Sequence, residues 1–208
     1  DNYSGSLSAT TSQVQANPAT VSTAPAAKDN LVYTGSAQAL VTAGSAEGGT
    51  MMYRLGNSGD FSADIPTGTN AGDYSVWYKV VGDENHSDTQ PVKVDVTIAK
   101  ATPDYTVPTG LTATYGNTLN DVTLTSGWTW DDAVTTSVGN VGENTFSATF
   151  TPSDTTNYNT VTENLTVTVS AKDISNAVIT LGDSLTYTGQ VQTQQIASVT
   201  VDGLTVTY

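Results

Sequence analysis

Cysteine is absent from this 208-residue chain, which excludes disulfides, thiolate zinc sites and thiol catalysis. Histidine is nearly absent. His86 is the single one, so any Ser-His-Asp triad would have to use it. Basic residues are scarce, with 6 Lys and Arg against 20 Asp and Glu and a formal net charge of −14. Nucleic acid is therefore an unsuitable partner, because phosphate binding needs clustered Lys and Arg. An anionic membrane surface is excluded on the same ground. Long apolar runs are missing too. No transmembrane segment, signal peptide or sorting signal is visible in the chain. No run of ten or more residues carries helical apolar spacing. The chain reads as cut from something longer, so the missing leader says little about targeting.

What is present favours strands and turns. Glycine occurs 18 times, and Thr, Val and Ser are abundant while Leu is sparse. A hydrophobic content of 37% suffices for a core if strands alternate cleanly. The stretch Asn70–Val81, NAGDYSVWYKVV, returns as Asn140–Phe150, NVGENTFSATF. Tyr74, Val76, Tyr78 and Val80 match Asn144, Phe146, Ala148 and Phe150, and period-two alternation puts these four positions on one strand face. Ser75, Trp77 and Lys79 match Thr145, Ser147 and Thr149 on the other. A similar spacing, 72 residues, separates Asn85 from Asn157 and Lys100 from Lys172. A period near seventy suits a sandwich of about seven short strands, somewhat below an antibody-type domain of roughly 100 residues.

This period divides the chain. Residues 1–15 read as the closing strand of a preceding partial module, because Asn2-Tyr3-Ser4 resembles the Asn85-His86-Ser87 and Asn157-Tyr158-Asn159 turns. Residues 16–27, with Pro18 and Pro25, read as a linker running into a first strand. Residues 28–100 form a first full β-module. Its expected strands are Leu31–Tyr33, Gln38–Thr42, Met51–Leu55, a short Phe61–Ile65, the Asn70–Val81 stretch and Pro91–Ala99, with a polar loop over Val81–Gln90. Residues 101–171 form a second full β-module, and 172–208 the first half of a third. There Leu185-Thr186-Tyr187-Thr188-Gly189 repeats the Tyr33-Thr34-Gly35 opening. Val199–Val206 reads as a hairpin about Asp202-Gly203, a preferred tight-turn pair. Open sheet edges at both ends are sticky, so the 1–15 segment of one chain is expected to contact 172–208 of a neighbouring chain head-to-tail.

No catalytic set stands out. His86 lies in GDENHSD, where its repeat partner is Tyr158, and reads as a loop residue covering the module end. Asp83-Glu84 and Asp131-Asp132 are adjacent carboxylates on turns, whereas glycosidase chemistry needs two facing each other across a cleft. The same two loops are rich in oxygen ligands. A structural calcium there is the one cofactor worth weighing, but no recognised calcium-binding spacing occurs. Trp128 and Trp130 share one side of GWTW and read as core for the second module. Trp77 shares its face with Lys79 and no other strand aromatic. It is the candidate ligand-contact residue.

The segments LVYTGSAQALVTAG, IPTGTNAGDYSVWYKVVGDENHSD and VTIAKA resemble the mostly-β, glycine-rich (MBG-type) and bacterial Ig-like tandem repeats of secreted bacterial surface proteins. ATPDYTVPTGLTATYGNTL with VGNVGENTFSATFTPSDTTNYNTVT resembles a companion repeat, and DSLTYTGQVQTQQIASVTVDGLTVTY the first half of a third. The resemblance covers nearly the whole chain. It implies an all-β fold of tandem small Ig-like β-sandwich modules in an elongated array, at the bacterial cell surface or secreted. It supplies no catalytic residues. Lys–Asn isopeptide bonds occur in some surface modules, but Lys79 and Lys93 face outward here, and Lys28, Lys100 and Lys172 lie in linkers.

The expected function is a non-enzymatic spacer or display segment of an extracellular repeat protein, with adhesion as an added role. Its partners would be other repeats of the same protein. The alternatives are an adhesin module binding a carbohydrate or host-matrix ligand, and an accessory β-module of a secreted glycan-degrading enzyme.

Overall fold

The computed structural model describes residues 16–201 and 203–205. The chain is all-β in several sheets. Among the described residues its one helical element is a 3-10 turn at Leu119–Asp121, and no helix is long and apolar enough to cross a membrane. The expected closing strand at 1–15 lies outside the described residues. Two compact units are present. Unit 1 takes the described residues up to Asp104 together with Thr151–Val161. Unit 2 takes Tyr105–Phe150 and the described residues from Thr162 on.

Unit 1 is built around an antiparallel sheet of β5 (Gly49–Leu55), β7 (Gly72–Gly82) and β9 (Val92–Ile98), with β7 central. The expected alternation is present on β7. Val76, Tyr78 and Val80 are buried, and Tyr74 is half-buried against the same core. Leu40, Val41, Met51, Tyr53, Val96 and Ile98 complete that core. Val92, expected inward, is 46% exposed at the start of β9.

Several expected boundaries move. Residues 16–27 are not merely a linker. β1 (Asn17–Pro18) pairs in parallel with β8 (His86–Ser87), and β2 (Thr20–Thr23) pairs with β4 (Ser45–Glu47), leaving Ala19 buried in the core. The expected loop at Val81–Gln90 thus contains a strand and the end of β7. Leu31–Tyr33 makes only one parallel bridge, Val32 to Ala99, and Phe61–Ile65 only one, Ser62 to Tyr53. Polar side chains at Asp60, Ser62 and Asp64, with Pro66 following, give that segment bends instead of a ladder. A short pair of β3 (Gln38–Ala39) and β6 (Thr67–Gly68) closes the unit.

Unit 2 carries a four-stranded sheet in the order β10 (Leu111–Thr114), β13 (Val161–Ser170), β12 (Gly142–Phe150), β11 (Trp128–Trp130). β10 pairs with β13 in parallel and β11 with β12 antiparallel. Ala148, the match of Tyr78, is fully buried, and Phe146 and Phe150 pack against two adjoining clusters. One cluster holds Leu119, Val122, Val138, Val167 and Val169. The other holds Trp128, Ala148 and Leu165. Trp128 and Trp130 are core residues, as the sequence suggests. A second sheet joins β14 (Val178–Leu181), β15 (Ile196–Val201) and β16 (Leu204–Thr205), and β15 to β16 is the expected hairpin, with Gly203 at φ 80°.

The opening turn recurs at atomic level. Gln38 Nε2 donates to Val32 O at 3.0 Å, and Gln192 Nε2 donates to Thr186 O at 2.7 Å. Gly35 and Gly189 lie in the left-handed region in both copies, at φ 78° and 75°. A glutamine six residues beyond the first carbonyl therefore closes each Tyr-Thr-Gly turn.

Candidate contact surfaces

Trp77 sits at the middle of β7 on the outward face. Its cross-strand neighbours are Arg54 on β5 and Lys93 on β9. The ring is half-buried, and its Nε1 donates to Asn57 Oδ1 at 3.0 Å, in the turn at Gly56–Gly59. Sequence reasoning missed Phe61. The bent segment that fails to form a strand brings this ring over the Arg54 guanidinium, at 4.7 Å, with the Lys79 ammonium 5.4 Å from its centroid. Both are cation–π contacts. The cue was the lone aromatic among Asp60, Ser62 and Asp64, which has no inward strand position to occupy.

Arg54, Lys79 and Lys93 thus place half of the chain's six basic residues on one sheet face. The two lysines are paired with carboxylates. Lys79 Nζ meets Asp88 Oδ2 at 2.7 Å, and Lys93 Nζ meets Asp95 Oδ2 at 2.8 Å. Ser75 Oγ donates to Asp95 Oδ1 at 2.7 Å, and Arg54 reaches Gly59 O at 3.4 Å. On this face Trp77 is flanked by cations, two of them paired with carboxylates, and is held by an amide.

The two acidic loops resolve into turns. In the first, His86 Nδ1 donates to Asp83 Oδ1 at 2.7 Å and the Asn85 N–H reaches the same oxygen at 2.9 Å. The ring of His86 is half-buried over Gly48. In the second, Asp131 accepts from Ser147 Oγ and, at 2.7 Å, from Thr149 Oγ1. Among the described residues no group of three or more Asp, Glu or His is arranged to hold a metal ion.

A third cluster was visible in the sequence only as a repeat marker. Asn157 is the buried polar residue among the described ones, at 6% exposure. Its Oδ1 accepts the Ala71 N–H at 2.8 Å, and its Nδ2 donates to Asp154 Oδ2 at 2.8 Å. The main chain around it pairs in parallel with Ala101, through Ala101 N to Asn157 O and Asn159 N to Ala101 O, both 2.9 Å. Tyr158 then meets the edge of Tyr33 at 5.3 Å between centroids. Lys100 Nζ donates to Thr155 O at 2.6 Å. A loop that belongs by sequence to the second repeat is therefore held inside unit 1, on the Asn70-Ala71-Gly72 turn and the Tyr-Thr-Gly opening.

Hydrogen bonding sets the acid response. Donation from Lys79 holds the Asp88 carboxyl below its ordinary value of 3.8, and Lys93 and Ser75 do the same for Asp95. His86 lowers Asp83, Ser147 and Thr149 lower Asp131, and Asn157 lowers Asp154. A lowered folded-state value means that the folded chain binds fewer protons than the unfolded one. The stabilisation is present above the ordinary value and is lost as pH falls through the folded ones. The net charge of −14 acts oppositely, since partial protonation relieves self-repulsion. The expected result is a melting temperature that rises gently from neutral pH toward about 4.5, then falls steeply below about 3.8. Melting followed by circular dichroism across pH 2–8 checks it; a monotonic rise to pH 2 would contradict the paired carboxylates.

Comparison of the chain with protein-family models, with curated proteins and with solved structures returns no match in any of the three.

Proposed function

We propose that the chain is a non-enzymatic spacer and display segment of a bacterial extracellular repeat protein, made of tandem Ig-like β-sandwich modules. The observation that carries this reading is that the entry turn and the inward side of the repeated strand recur, while of its residues only Asn70/Asn140 and Gly72/Gly142 are identical. β7 and β12 share their inward positions and their entry turn. Gly72 and Gly142 both hold positive φ, at 143° and 120°. In both copies the side chain two residues after that glycine caps the turn. Tyr74 Oη donates to Asn70 O at 2.7 Å, and Asn144 Nδ2 donates to Asn140 O at 2.6 Å. The outward residues are not kept: Ser75, Trp77 and Lys79 become Thr145, Ser147 and Thr149. An array selected for binding repeats its contact residues, whereas an array selected for length repeats only its scaffold.

The aromatic residues support the same side. Trp128 is 6% exposed and Trp130 packs into the core, so neither offers a platform for a sugar ring. The partners of such a segment are other repeats of the same protein. Val178, Ile179, Leu181 and Val191 are each more than half exposed, an apolar surface that a neighbouring repeat would cover. A screen of the full chain against glycans and host-matrix proteins, beside Trp77→Ala, tests the reading. Equal, background signals are expected from both. Binding by the parent that Trp77→Ala abolishes would replace the spacer reading with an adhesive one.

A further inference from the structure

Unit 1 contains a filled contact, and its two halves recur elsewhere unfilled. The filled one joins a receiving surface, Tyr33 with Asn70-Ala71-Gly72, to an inserting loop, Asp154 to Asn159. The receiving surface recurs on unit 2. Tyr115 N donates to Ser170 O at 2.9 Å as Tyr33 N donates to Ala99 O at 2.9 Å, so the two tyrosines hold equivalent places beside the closing strand. Thr149 Oγ1 lies 2.9 Å from Thr162 Oγ1, which sets one end of the β12–β13 pair and leaves Gly142 and Ser170 together at the other. Tyr115, Asn140 and Val141 therefore lie toward the same sheet end. There Tyr115 is 47% exposed and Val141 58% exposed, while Tyr33 is half-buried under Tyr158.

The inserting loop recurs on unit 1 as Asp83 to Ser87. In each loop an aspartate accepts the main-chain N–H of the asparagine, Asp154 that of Asn157 at 3.1 Å and Asp83, one place nearer, that of Asn85 at 2.9 Å. Tyr158 pairs in parallel with Ala101, and His86 pairs in parallel with Asn17. The difference is burial: Asn157 is covered, whereas Asn85 is exposed. One chain thus carries an exposed socket at Tyr115 and Val141 and an exposed plug residue, Asn85, beside a His86 ring that rests half-buried on Gly48.

We propose that Tyr115, Asn140 and Val141 form a docking site for the Asp83–Ser87 loop of a second copy of this chain, giving a head-to-tail contact that continues the array. Asn85 would take the Val141 N–H as Asn157 takes that of Ala71, and His86 would lie on Tyr115 as Tyr158 lies on Tyr33. The contact is heterologous, so copies add in one direction. The proposal rests on the tandem-repeat reading and adds the residues that join successive units.

The absence of cysteine makes cross-linking clean. Full-length Tyr115→Cys chains are mixed with full-length His86→Cys chains under mild oxidation. Mixed disulfide is expected to form about tenfold faster than with Thr145→Cys, an exposed control on β12, because docking raises the local concentration of the two thiols. Adding Asn85→Ala to the His86→Cys chain should reduce the rate to that control. Equal rates with the Tyr115 and Thr145 variants, or indifference to Asn85→Ala, would overturn the proposal. A Tyr33→Cys, Tyr158→Cys chain separates this failure from failure of the underlying reading. If its internal disulfide closes while the intermolecular one does not, only the docking site is wrong; if it stays open, the template contact itself is lost.

Discussion

Replacing Trp128 by alanine should remove about 3–5 kcal/mol from the stability of unit 2. The indole is 6% exposed and is the hub of an aromatic group, with Tyr105 at 6.0 Å and Phe150 at 5.6 Å between centroids. Ala148 and Leu165 lie beneath it. Its Nε1 donates to Thr106 O at 3.1 Å, fixing the segment that leads into β10. Alanine at this site leaves a cavity and a carbonyl without its donor. Small domains hold only about 5–15 kcal/mol in total, so the loss is a large share. The measurement is hydrogen exchange at the amides of β11, β12 and β13, because a chain with two compact units has no single unfolding free energy. Protection there should fall by two to three orders of magnitude, at about 1.4 kcal/mol for each factor of ten. Trp128→Phe keeps most of the ring area and should recover more than half of the loss. Unchanged protection in the alanine variant would mean that this cluster is not the core of unit 2.

Trp128 also shows what could be read from the residues alone. A strand with two large aromatics at alternate positions, in a stretch short of other apolar bulk, has to bury them, and it does. The inward face of β7 was legible for the same reason, since alternation from Tyr74 to Val80 leaves one register. Short elements were not legible. Leu31–Tyr33 and Phe61–Ile65 carry apolar residues at strand-like spacing, yet each contributes a single bridge. In pieces this short, the partner available in space decides the outcome, and no sequence window contains it. Residues 16–27 mislead in the opposite direction. Prolines suggest a linker, but Pro18 sits in a two-residue edge strand where its missing N–H costs nothing, and Ala19 beside it is buried.

The candidate contact residues divide in the same way. Trp77 was marked by the company it keeps on β7, a local property. Phe61 could not be, because its place over Arg54 and Lys79 depends on a bend. Asn157 was marked only as a recurring letter. That it reaches Ala71, 86 residues away, follows from where the second-repeat loop is held. Recurrence of Asn-x-Gly at Asn70 and Asn140, and of an asparagine followed by an aromatic ring at Asn85-His86 and Asn157-Tyr158, was the available signal. It says that both motifs matter to the repeat, without saying that they touch.

Replacing Asn157 is expected to release that loop, and the choice of replacement separates packing from polarity. Asn157→Ala leaves the Ala71 N–H and one oxygen of Asp154 without their partner. The unpaired Ala71 N–H is a loss of about 1–3 kcal/mol where water cannot substitute, whereas the Asp154 oxygen reaches solvent and takes water in its place. The expected signature is local: the amides of Ala71, Ala101 and Asn159 exchange faster, while those of Val76 and Val80 in the core keep their protection. Asn157→Asp keeps the acceptor for Ala71 but turns the donor into a second carboxylate facing Asp154 Oδ2, which Asn157 Nδ2 approaches to 2.8 Å. Two carboxylates at that distance cannot both ionise cheaply, so a proton is retained and the new group titrates above the ordinary range. A raised folded-state value gives stability that is complete below the unfolded value and is lost as pH rises through the folded one. This variant should therefore hold the loop better near pH 4.5 than at pH 7.5, whereas Asn157→Ala should show no such preference. If the Ala71 and Ala101 amides in Asn157→Asp exchange with equal protection factors at both pH values, the side chain at 157 does not face Asp154, and the loop is held by its main-chain pairing alone.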